Sequence, residues 1–62
     1  VVMMNPEYAC KMQMRRASWA LAHLAEIGEP ELLPYEQEDI RMALEKLKAI
    51  AYRKHIEINP ER

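Results

Sequence analysis

The chain has 62 residues, is 50% hydrophobic and 31% charged, and carries a formal net charge of −1. That length holds one small domain, and a charge so close to zero argues against bulk attraction to nucleic acid. A domain of this size buries only about 60% of the surface of its unfolded chain and is marginal alone, and such chains usually need a disulfide, a metal or association to be stable.

Cys10 is the single cysteine, which excludes a disulfide within the chain. His23, His55 and Cys10 are scattered without ligand spacing, so no metal is expected. Association is left by elimination. A lone cysteine also fits a reducing compartment. The longest uncharged, mostly apolar run, Ala17 to Ala25, is too short to span a bilayer. The expected location is therefore cytoplasmic. The start Val1-Val2-Met3-Met4 suggests a processed product or a piece of a larger protein, with a native start at Met3 or Met4 as the alternative.

Asn5-Pro6-Glu7 predicts a helix start. Asn5 can accept from free N–H groups, Pro6 suits the first helical position, and Glu7 meets the positive end of the dipole. The Ala, Met, Leu and Arg that follow are good helix formers. Gly28, the only glycine, stands where a left-handed C-terminal cap would fall. The first helix is expected over about residues 6–27. A connection follows at Glu29 to Leu33, with a single helical turn at Pro30 to Leu33.

Pro34 opens the second helix, with Glu36, Glu38 and Asp39 near its start and Arg53, Lys54 and His55 near its end. That order matches the dipole. Asn59-Pro60 stops it, because the residue before proline avoids the helical region, and the second helix is expected over about residues 35–57. The fold class expected is all-α: residues 1–62 form a single helical hairpin, antiparallel because the connection is short.

Each helix carries two apolar stripes. Cys10, Met14, Ala17, Leu21 and Leu24 recur at spacings of four and three, as do Ile40, Leu44, Leu47 and Ala51, with Ala43, Ile50 and Ile58 beside them. These define the expected seam. The second stripes hold Tyr8, Met12 and Trp19, with Ile27 on the flank, and Tyr35, Met42, Ala49 and Ile56, spaced by sevens. A hairpin covers only one stripe per helix, and soluble monomers rarely expose patches of this size. The second stripes are thus expected to be an interface, with Trp19 as its hot spot. The function expected is a small non-enzymatic protein–protein interaction module, an adaptor, inhibitor or regulator. It is expected to pair as an antiparallel homodimer in a four-helix bundle or to bind a helical protein partner.

The alternative is a nucleic-acid-binding regulator. Hairpin folding would gather Lys11, Arg15, Arg16, Lys46, Arg53 and Lys54 toward the open end and the acidic residues toward the connection, and a phosphate-binding patch there would be strongly salt-dependent. Helix-turn-helix and ribbon-helix-helix readings lack, respectively, a third helix and an N-terminal strand of proper length.

Chemistry is not expected. His23 with Glu26, and His55 with Glu57, have no pocket to work in. Glu36, Glu38 and Asp39 do not face one point on a helix. Cys10 and Ser18 lack partners that would make them nucleophiles, and Gly28 alone makes no phosphate loop. No cofactor, small-molecule substrate or membrane contact is expected, because neither helix sets a purely basic face opposite a purely apolar one.

Overall fold

A computed structural model describes residues 5–58. Two helices, α1 (Pro6–Leu24) and α2 (Pro34–Arg53), make an all-α hairpin. It is antiparallel: the Gln37 side chain at the start of α2 reaches the carbonyls of Ala25 and Ile27 just past the end of α1. At the other end the Arg15 side chain donates to the Glu57 carbonyl at 2.9 Å.

α1 begins as its sequence dictates, with the Asn5 carboxamide oxygen accepting from the Glu7 N–H at 2.8 Å and Pro6 in the first turn. It ends three residues earlier than expected. Ala25 closes it in right-handed geometry, and tightened bonds from Glu26 N–H to the His23 carbonyl and from Ile27 N–H to the Leu24 carbonyl finish the turn. Gly28 has no positive φ, so the left-handed cap expected there does not form. Gln37 does that work instead, since its amide takes carbonyls that the helix end leaves open. In the connection the Leu32 N–H bonds to the Gly28 carbonyl at 3.1 Å, closing one isolated turn.

α2 starts at Pro34, one residue before the expected start. Glu36 reaches back so that its carboxylate accepts from the Leu33 N–H at 2.9 Å. This is one half of a capping box. Leu33 has no side-chain acceptor to supply the other half. α2 ends at Arg53, not at residue 57. The stop is a Schellman motif: His55 takes φ 58°, its N–H bonds to the Tyr52 carbonyl, and the Ile56 N–H reaches back to the Ala51 carbonyl at 2.8 Å. The expected stop, Asn59-Pro60, lies outside the described residues.

On α2 the expected seam holds. Ile40, Leu44, Leu47 and Ile50 are half-buried and Ala51 is buried, while Ala43 is exposed. On α1 the seam is rotated. Lys11, Met14, Ser18, Leu21 and Ala25 line it, with Ser18 and Ala25 buried and Ala17 and Leu24 exposed. The shift from the expected stripe is about 60° at about 100° per residue. The physical reason is size: Ser18, Ala22 and Ala25 are small, so α1 can lie close against the larger Ile40, Leu44 and Leu47. A count of apolar residues alone passes over a serine.

The segment after α2 folds back along α1, burying Ile56 and half-burying Ile58. The core that results is slight. Among the described residues the buried apolar side chains are Ala25, Ala51 and Ile56, and no large side chain is fully buried.

Candidate protein-interaction surface

The hairpin has two broad sides, and they differ chemically. Taking the direction of each helix toward its partner from the buried positions, side chains on α1 and α2 can be assigned to one side or the other at about 100° per residue. One side carries Tyr8, Arg15, Trp19 and Ala22 from α1 with Arg41, Leu44, Lys48 and Tyr52 from α2. A cleft of about 40 Å³ between Ser18, Trp19, Ala22, Leu44, Lys48 and Ile58 lies in it. The returning segment closes this side at the open end of the hairpin, where Glu57 accepts from Arg15.

The other side carries Cys10, Met14, Ala17, Leu21 and Leu24 from α1 with Ala43, Leu47 and Ile50 from α2. These are uncharged, and Asp39 and Lys46 stand at the outer edge of the α2 row. Ala17 and Ala43 are exposed, Leu24 is 39% exposed, and the rest are half-buried. This is the stripe expected to be the seam of α1. The rotation of the helix leaves it open on one side of the hairpin.

The residues expected at the interface fall in several places. Tyr8 and Trp19 are exposed and Met12 is half-buried, all on the flank of α1 beside the returning segment. The Trp19 ring packs on His23 with centroids 4.5 Å apart, and the Trp19 carbonyl lies 2.8 Å from His23 Nδ1. Tyr35, Met42 and Ala49 are exposed on the back of α2, directed away from α1. Ile27 is exposed in the connection. Ile56 is not on a surface at all: α2 ends before it, and the Schellman turn brings it into the chain's own core. Leu33 and Tyr52 are large exposed apolar residues that the stripe pattern leaves out. Leu33 lies outside any helical period, and Tyr52 falls between the two stripes of α2.

The charges divide along the hairpin as the sequence indicates. Glu26, Glu29, Glu31, Glu36, Glu38 and Asp39 cluster at the connection. Of the six basic residues of the alternative reading, Arg16, Lys46, Arg53 and Lys54 are exposed, Lys11 is half-buried at the seam, and Arg15 is held by the Glu57 carbonyl. Two ion pairs, Glu38–Arg41 at 3.7 Å and Glu45–Lys48 at 3.8 Å, lie on the exposed part of α2.

Among the described residues no group of three or more His, Cys, Asp and Glu could hold a metal ion, and no helix is long and apolar enough to cross a membrane. Ser18 is buried with its hydroxyl oxygen unpartnered, between α1 and α2. No family model matches the chain, and no curated protein and no solved structure matches it.

Proposed function

We propose that this chain is a small non-enzymatic protein–protein interaction module that associates with itself and acts through its apolar helix surfaces, as an adaptor, inhibitor or regulator. One observation carries the reading. Among the described residues the hairpin fully buries two alanines and one isoleucine, yet leaves Trp19, Leu24, Tyr35 and Met42 between 39% and 64% exposed. Burying apolar area is the main favourable term in folding, and these large side chains keep much of theirs exposed. An antiparallel homodimer, a four-helix bundle, supplies part of the missing cover, and the apolar residues outside it are left for a protein partner.

Sedimentation equilibrium over a wide concentration range, at low and high salt, tests the reading, with circular dichroism on the same samples. A helical dimer that persists at high salt is expected, because apolar association does not weaken with salt as ion pairing does. A monomer with full helicity and a sharp, concentration-independent melt would refute it, since such a hairpin needs no partner. Steep loss of binding to a nucleic-acid probe between low and moderate salt would favour the alternative, phosphate binding through Arg16, Lys46, Arg53 and Lys54.

A further inference from the structure

The side of the hairpin without the returning segment is an apolar strip two helices wide. Ala17, Leu21 and Leu24 form one row and Ala43, Leu47 and Ile50 the other, with Asp39 and Lys46 bordering the second row on its outer edge. The opposite side is interrupted by Arg15, Arg41 and Lys48. The small residues Ala17 and Ala43 flatten the strip and permit close approach. Cys10 and Met14 extend it toward the open end.

We infer that this strip is the homodimer interface and that its occupant is a second copy of the chain packed head to tail, α1 over α1 and α2 over α2. The inference rests on the reading that the chain completes its fold by self-association as an antiparallel pair, and adds the face that pairs. Charge supports a second copy and selects its orientation, because the hairpin is acidic at its connection and basic at its open end. With the connections at opposite ends, the acidic cluster around Glu36, Glu38 and Asp39 of one copy faces Arg53 and Lys54 of the other. With the connections at the same end, acid faces acid. Complementary ends fix register and suppress the alternative.

In this packing Ala17 lies near the two-fold axis and meets its own symmetry mate. The test combines four proteins: the unaltered chain, Ala17→Glu, Trp19→Ala, and Ala17→Cys in a Cys10→Ser background. Each is examined by sedimentation equilibrium and circular dichroism, the last also in a glutathione redox buffer. Ala17 is exposed in the single hairpin, so Ala17→Glu adds no clash within it, and its helicity is expected to fall only as the dimer dissociates. Its association constant is expected to fall on the order of 100-fold or more, because two like charges meet at a desolvated axis. Trp19→Ala is expected to stay dimeric. Thiols at position 17 are expected to form a covalent dimer, because facing positions on touching helices satisfy the Cα separation of about 4.4–6.8 Å that a disulfide needs.

Dissociation by Trp19→Ala with Ala17→Glu still dimeric would overturn the face and leave self-association standing. Failure of the position-17 thiols to link in a chain that is dimeric would overturn the orientation. An unaltered chain that is monomeric at every concentration would overturn the second copy. If that monomer melts sharply, the interaction reading falls with it. If it melts without cooperativity, that reading survives with a different protein as the occupant.

Discussion

Ser18 is the position at which a single substitution should change stability most informatively. It lies in the seam of α1, 5% exposed, with its hydroxyl oxygen unpartnered. An unsatisfied buried polar group costs about 1–3 kcal/mol. Ser18→Ala removes that group with almost no change of shape, and alanine is also the better helix former by about 0.5 kcal/mol. The low end of these terms suffices for a gain of about 1.5 kcal/mol. For a domain of this size each kcal/mol moves the melting midpoint by about 4–8 °C, so a rise of roughly 6–12 °C is expected. The assay is thermal and urea denaturation followed by circular dichroism, at matched protein concentrations because association raises apparent stability. Ser18→Val serves as the control. It also removes the hydroxyl, but its branched side chain crowds the approach to Leu44, so it should lose stability. A Ser18→Ala variant less stable than the parent would refute the reasoning, for it would mean that the hydroxyl is satisfied in solution, most simply by a water in the adjoining cleft.

Further substitutions test other joints of the hairpin by the same denaturation assay. His55→Gly should stabilise by about 1 kcal/mol, because His55 holds φ 58° and only glycine adopts that geometry without cost; a loss would show that the imidazole makes an important contact. Gly28→Ala should be neutral or stabilising by about 0.4–1 kcal/mol, since Gly28 has no positive φ and an added Cβ meets nothing within 4 Å. A clear loss there would restore the left-handed cap that its position in the sequence suggests. Gln37→Ala should cost about 1–2 kcal/mol by freeing the carbonyls of Ala25 and Ile27. Glu38→Gln and Glu45→Gln should each change stability by less than about 0.5 kcal/mol, because both ion pairs are solvent-exposed.

The amino-acid sequence by itself determined the all-α class, the Asn5-Pro6 and Pro34 helix starts, and the apolar face of α2. Each depends on local chemistry: a cap accepts from the next turn, proline lacks an N–H, and Ile40, Leu44, Leu47 and Ala51 are a clear period with no competing polar residue. Where the helices stop was not legible. α2 ends at a left-handed histidine rather than a glycine or a proline, and the end of α1 is secured by a glutamine twelve residues away. The rotation of α1 was not legible either. Ser18 reads as polar in a sequence, yet its small size lets α1 approach α2 closely, and only the packing of two helices reveals that size outweighs polarity there. Ile56 followed the same course. Its spacing of seven from Ala49 is a helical signal only while the helix continues, and once the chain turned at His55 the residue was carried into the core. Helix starts are local and can be read residue by residue. Which face is buried is settled by the fit between two surfaces, and that fit exists only in the folded hairpin.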